Sequence, residues 1–187
     1  MTIEIVKSET VHEGWAKFAV VTIRLPKGHL VQREVEDHGQ AVAVLPFDRA
    51  RKMAVMVRQF RAPVFLTAAE ADLLEPIAGI VEEADPADAG RREAEEETGL
   101  HLRAMEHVGR FWTSPGISTE RMDLFLAPYS EEDRRGLGGG IADEEITVVE
   151  ISLAELAGMA DHGRLADMKA FALVQSLRLR HPDLFGP

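Results

Sequence analysis

Cysteine is absent from this sequence, and its absence excludes disulfides, thiolate-bound zinc and cysteine nucleophiles together. That fits a reducing compartment without demanding one. Positive charge is scarce: 21 Lys and Arg stand against 32 Asp and Glu, for a formal net charge of -11. Such a surface repels a phosphate backbone, so nucleic acid is not an expected partner. No run approaches the roughly 18 uncharged apolar residues that a membrane span needs. The opening Met1-Thr2-Ile3-Glu4-Ile5 also lacks the basic and then apolar blocks of an export signal. No membrane partner is expected, and the expected location is the cytoplasm. None of the seven histidines has the spacing of a zinc motif, and there is no Gly-x-Ser-x-Gly. Zinc hydrolases and serine hydrolases of that type are thereby set aside.

What is present is a non-repetitive globular pattern. At 187 residues and 45% hydrophobic, the chain can bury one sizeable core, with or without a small N-terminal appendage. Strand-like alternation runs through Ile3–Val6, Lys17–Ile23 and Val31–Val35, with Pro26-Lys27-Gly28 as a turn, which reads as an antiparallel meander. Apolar runs at 41–46 and 53–57 flank a polar turn at 48–52 and predict a buried hairpin. A helix over Pro86–Thr98 carries its own punctuation: Asp85 as N-cap, Pro86 at the first helical position, Asp88 in the first turn and Gly99 just past the end. Further strands are expected at 102–111, 122–127 and 146–151. Helices are expected at 153–160, where Ser152 and Glu155 form a capping box, and at 166–178. Strands lead and helices alternate with strands later, which predicts an α/β (α+β) fold with a mixed sheet packed between helices.

Much of the acidity is concentrated between Glu82 and Glu97. On a helix, residues three and four apart share a face, so Glu93, Glu96 and Glu97 point the same way and Glu95 elsewhere. Like charges so placed repel, and a hard cation with oxygen ligands would offset them; magnesium is the natural candidate. Spacing alone leaves a solvated acidic face equally open. Gly90, inside the helix, costs about 1 kcal/mol relative to alanine, which either close packing or tolerance would explain.

The surrounding residues break the tie. The segment Gly79-Ile80-Val81-Glu82-Glu83-Ala84-Asp85-Pro86-Ala87-Asp88-Ala89-Gly90-Arg91-Arg92-Glu93-Ala94-Glu95-Glu96-Glu97-Thr98-Gly99-Leu100 closely resembles the Nudix box. Its last nine positions fit without a mismatch when Ala94 counts as the apolar one. Measured back from Arg92 it is one residue short, the usual upstream glutamate deleted between Ala84 and Asp85, with Asp85 a partial replacement. The resemblance implies a Nudix fold, an α/β/α sandwich. It implies that Glu93 and Glu97 are direct metal ligands, that Glu96 is a further ligand and that the Ala78 carbonyl is the backbone ligand before the box. The metal would be Mg2+, with Mn2+ as a substitute. Arg92 matches the arginine that orients the carboxylates, a task suited to its rigid fork of donors.

The flanks resemble the ADP-ribose pyrophosphatase subfamily from roughly Arg33 to Leu173. Thr113-Ser114-Pro115-Gly116-Ile117-Ser118-Thr119-Glu120-Arg121 is similar to its Ser-Pro-Gly segment, at the characteristic distance from the box. Glu36–Gly39, Val57–Arg61 and Leu74–Gly79 are similar too. By position, the resemblance implies that Arg61 contacts the substrate's diphosphate, that Glu120 meets substrate through water with Ser114 and Pro115 beside it, and that Arg33 reaches a nucleotide across a dimer. The expected reaction is hydrolysis of ADP-ribose to AMP and ribose 5-phosphate. The alternatives are another nucleoside diphosphate sugar such as GDP-mannose, or a nucleotide-binding module without catalysis. The subfamily's base resembles a glutamate on a mobile loop, which here selects Glu144, then Glu145, among Asp143, Glu144 and Glu145. The glycine-rich Gly136–Gly140 follows charged residues rather than a strand, so it reads as a flexible lid and not as a dinucleotide-binding turn. In this subfamily strands such as those of residues 1–37 resemble a dimerisation region ahead of a catalytic domain, here 38–187, so a homodimer is expected.

Overall fold

The computed structural model describes residues 2–140 and 145–186. Asp143 and Glu144 lie outside the described residues, while Glu145 is described and exposed. The chain divides into two compact units. The first takes the chain through Gln40 together with Phe111–Met122; the second takes Ala41–Arg110 and the chain from Asp123 onward.

The first unit holds the meander as a three-stranded antiparallel sheet: β1 (Glu4–Glu13), β2 (Lys17–Arg24) and β3 (Leu30–Asp37), in that order. The turn between β2 and β3 closes with the Gly28 N–H donating to the Leu25 carbonyl at 2.8 Å, and Gly28 sits at φ 86, where a side chain is disfavoured. Strand β1 runs on to Glu13, paired with β2 through register shifts between Ile5 and Lys7 and between Thr10 and His12, which alternation could not reveal. The segment 111–122 joins this unit through a parallel bridge between Glu36 and Ser118 and hydrogen bonds from Glu36 N–H to Ile117 O and from Thr119 N–H to Glu36 O.

The second unit is built on a mixed sheet. Its strands are β4 (Ala41–Asp48), β5 (Met53–Gln59), β6 (Leu73–Glu75), β7 (Ile77–Ile80), β8 (Glu106–Trp112), β9 (Arg121–Pro128) and β10 (Thr147–Ser152), ordered β10-β5-β4-β9-β8 with β6 on β5 and β7 on β4. The predicted β4–β5 hairpin forms at its turn, where Phe47 pairs Ala54 and Asp48 pairs Met53. Asp48 shapes that turn, its Oδ1 accepting from the N–H groups of Ala50 and Arg51 at 2.8 and 2.9 Å. Away from the turn, β5 pairs β6 and β4 pairs β7. Pro76, without an N–H, stands at the break between these two strands.

Every residue of β4 is buried, as a strand covered on both faces must be. Val42 and Val44 share one cluster with Ala89 and Ala94 of helix α2 (Pro86–Thr98). The α4 helix (Met168–Arg180) also packs on β4, burying Ala170, Leu173, Val174 and Leu177, and α3 (Leu153–Asp161) packs on α4 and β10. Burying these chains stabilises the unit by roughly 1.5–3 kcal/mol for each large apolar residue.

Several boundaries differ from the sequence reading. Strand β8 starts at Glu106, because Leu100 and Leu102 are buried in the α2 cluster and the His101 N–H is used by Asp133 O. Helix α4 starts after Asp167, whose carboxylate caps it by accepting from Ala170 N–H at 3.1 Å. A short helix, α1 (Ala62–Ala68), was not anticipated; its seven residues bury nothing and so carry no apolar period. Gly90 is decided in favour of packing, since a Cβ there would lie 2.8 Å from Val44 Cγ2 and 2.9 Å from Met105 Cε. No helix among the described residues is long and apolar enough to cross a membrane.

Candidate active site

Helix α2 forms with the caps the sequence prescribes: Asp85 accepts from Ala87 N–H at 3.0 Å, and Gly99 closes the helix at φ 69. Its candidate site side chains are organised by Arg92. The guanidinium donates from Nε to Glu83 Oε1 at 2.7 Å, from Nη1 to Glu96 Oε2 at 2.9 Å and from Nη2 to the Ile80 carbonyl at 3.2 Å, while Nη2 lies 2.9 Å from Glu93 Oε1. One arginine therefore ties the preceding loop, the end of β7 and two helix carboxylates together. The hydrogen bond to Glu83 and the charges of Glu93, Glu83 and Glu96 hold its pKa far above the ordinary value, so the cation is permanent. Glu83 was not anticipated as its partner. Asp85 is the N-cap that the sequence predicts.

Gly79 admits the Glu93 carboxylate to the backbone of β7. A Cβ at Gly79 would lie 1.8 Å from Glu93 Oε1, so only glycine leaves this cradle open. Glu93 thus comes against the strand that carries Ala78, and Glu97, on the same helix, is buried. An all-oxygen donor set of Glu93, Glu96, Glu97 and the Ala78 carbonyl fits a hard divalent cation. Among the described residues, however, no three acidic or histidine side chains are drawn together closely enough to hold an ion by themselves. The physical reason is local: neighbouring carboxylates repel, and Glu93 and Glu96 each place an oxygen on Arg92.

Arg61, at the N-cap of α1, meets Glu75 of β6 through a two-point contact, Nε to Oε1 at 2.6 Å and Nη2 to Oε2 at 3.1 Å. Lys169 of α4 also donates to Glu75 Oε2 and, at 3.1 Å, to Asp167. Burial alone would raise the Glu75 pKa, but the Arg61 hydrogen bond and the Lys169 charge hold it below the ordinary carboxylate value.

The glycine-rich Gly136–Gly140 is not a free lid. Gly139 N–H donates to the Glu97 carbonyl at 2.8 Å, Gly140 N–H to the Glu96 carbonyl at 3.2 Å and Arg135 N–H to the Gly99 carbonyl at 2.7 Å. These bonds satisfy carbonyls that the end of α2 leaves without helical partners. A Cβ at Gly138 would lie 2.3 Å from the Glu97 carbonyl oxygen. The glycines therefore strap this segment to the acidic helix.

The remaining candidates belong to the first unit. Glu120 is bonded to His38, Nε2 to Oε2 at 2.8 Å, and the other ring nitrogen of His38 meets Glu36. Trp15 stacks on His38 with centroids 4.8 Å apart. Ser114 and Pro115 are exposed in a turn where the Ser114 carbonyl accepts from Ile117 and Ser118 N–H groups at 3.0 and 2.8 Å. Arg33 is exposed on β3, its Nη1 donating to the Gln32 carbonyl at 2.7 Å. Sequence reasoning missed Glu75, Glu83, His38 and Lys169 as members of these networks. Only Glu75 carried a signal, as a lone charge inside the apolar run Leu74–Ile80.

The NUDIX domain model matches residues 37–172. A GDP-mannose pyrophosphatase of Cronobacter sakazakii is 36% identical over 185 residues, covering 96% of this chain and 97% of that protein. One of Escherichia coli is 30% identical, covering 96% of each. The fold is similar to the crystal structure of an ADP compounds hydrolase, with a TM-score of 0.80 at 16% identity over 98% of this chain and 96% of that one. The chain belongs to the Nudix family.

Proposed function

We propose that this protein hydrolyses the diphosphate of a nucleoside diphosphate sugar in a magnesium-dependent reaction, with GDP-mannose ahead of ADP-ribose as substrate. The observation that carries the reaction class is the Arg92 hub, which joins Glu83, Glu93, Glu96 and the end of β7 into one oxygen-rich framework. The substrate order is supported by full-length relatives named for GDP-mannose. ADP-ribose stays as the second reading because Ser114-Pro115-Gly116 is similar to the segment of that subfamily.

In this reading Glu93, Glu96, Glu97 and the Ala78 carbonyl hold Mg2+, for which Mn2+ substitutes. A bound ion of this kind neutralises charge developing on a diphosphate and activates the attacking water. Arg92 keeps the carboxylates in register. Arg61 engages the diphosphate, and Arg33, Ser114, Pro115 and Glu120 serve the rest of the substrate. Glu144, or Glu145 next to it, takes the proton as water adds to one phosphorus. The bridging P–O bond breaks, releasing a nucleoside monophosphate and a sugar phosphate. From GDP-mannose the products are GMP and mannose 1-phosphate. The strands of residues 1–37 are assigned to homodimerisation.

The test is a panel of nucleotide sugars assayed with Mg2+ by phosphate release after phosphatase treatment. GDP-mannose is expected to give the highest kcat/KM and ADP-ribose the next; cleavage of neither would refute the reading. Run on Glu144→Gln and Glu145→Gln, the same assay should fall by orders of magnitude for one of the two. Near-normal rates in both would remove the base assignment.

A further inference from the structure

Glu75 is 1% exposed, and a buried carboxylate costs several kcal/mol unless it is fully partnered. Its partners come from distant parts of the chain: Arg61, 14 positions away, and Lys169, 94 positions away. Stability alone is a weak reason for such a group, because well-packed apolar residues of similar volume hold a core as well or better. The geometry offers a different reason. Arg61 is held along its Nε and Nη2 edge, while its side chain remains 40% exposed. An arginine loses about 2 kcal/mol of rotamer entropy when it is fixed, and a guanidinium fixed beforehand grips an anion without that loss. Glu75 by itself would also cancel the positive charge Arg61 offers. Lys169 offsets this, since its ammonium shares Glu75 Oε2 with Arg61 Nη2. Asp167 then fixes Lys169 and caps α4, which anchors the network to the C-terminal helix.

We infer that Glu75 is a positioning residue that pre-sets Arg61 for the substrate diphosphate, with Lys169 balancing its charge. The inference rests on the reading of Arg61 as the diphosphate contact. Glu97 also acts electrostatically on Arg61, so the pre-set arginine feels the charge of the acidic helix.

The experiment is a double-mutant cycle of Glu75→Gln and Arg61→Ala, with kcat and KM measured on the nucleotide sugar that the wild type cleaves fastest. Arg61→Ala and Glu75→Gln are each expected to raise KM by about tenfold or more, the scale of a charge-assisted hydrogen bond. For Glu75→Gln, kcat should stay within about threefold, as loss of uniform binding requires. The double variant should be no worse than Arg61→Ala alone, because Glu75 acts through Arg61. Wild-type kinetics in Arg61→Ala would overturn the role of Arg61 and this inference with it. A damaged Arg61→Ala with a wild-type KM in Glu75→Gln, or an additive cycle, would overturn the positioning role alone. If Glu75→Gln does not fold, Arg61→Lys decides: it keeps the charge and loses the fork. A raised KM is then expected, and a wild-type KM overturns the inference.

Discussion

His38 is held between two carboxylates, its side chain and that of Glu120 being 14% and 12% exposed. Burial lowers its pKa, but hydrogen bonds and charge from Glu36 and Glu120 outweigh that and raise it above the ordinary value. A group with a raised folded pKa contributes stability that is fully present below its unfolded pKa, about 6.5, and is lost as pH rises through the folded pKa. Thermal unfolding followed from pH 5.5 upward should therefore show a loss of stability above that point. His38→Gln should remove this loss and cost on the order of 2 kcal/mol at the acid end, where the imidazolium donates to both carboxylates. Parallel profiles for wild type and variant would contradict the account. Glu75 behaves with the opposite sign: its lowered pKa gives stability present above the unfolded carboxylate value and lost in acid.

Two glycines lie inside helices, and their surroundings give them opposite meanings. Gly158 of α3 has nothing within 4 Å of a built Cβ, so Gly158→Ala should stabilise by about 0.5–1 kcal/mol through helix propensity alone. Gly90 of α2 faces Val44 and Met105 at under 3 Å. There alanine gains the same propensity but overpacks the core at a cost of about 1–3 kcal/mol, so the net change should be a loss. Gly138 is more severe, because φ 68 disfavours a side chain and the obstacle is the Glu97 backbone. Gly138→Ala should lower both the melting temperature and kcat by breaking the strap on α2. An unchanged kcat would detach the glycine run from the site. The start and end of α2 were legible because caps are local, and a role for Arg92 in orienting the carboxylates was expected only through the resemblance to the Nudix box. Glu83 was not, since its loop returns to Arg92 from nine positions away.

In the first unit all ten residues of β1 are exposed, among them Ile5 at 69% and Val11 at 62%, Ile3 just before the strand is 66% exposed, and β1 is an edge strand. An open edge with apolar side chains invites pairing with another chain. The proposed homodimer predicts twice the chain mass by light scattering and a monomer after Ile5→Lys with Val11→Lys. A monomeric mass for the wild type would contradict it. The sequence by itself determined the caps and extent of α2, the acidic face with its arginine, the meander and the alternation of strands and helices, because each rests on neighbours a few positions apart. Only tertiary structure decided that β6 and β7 part the β4–β5 hairpin, that Gly79 cradles Glu93 and that the glycine run straps α2. The same holds for the joining of Arg61, Glu75 and Lys169 across the chain. Those features depend on which distant backbone comes to lie against which side chain, and no periodicity or spacing in one sequence encodes that.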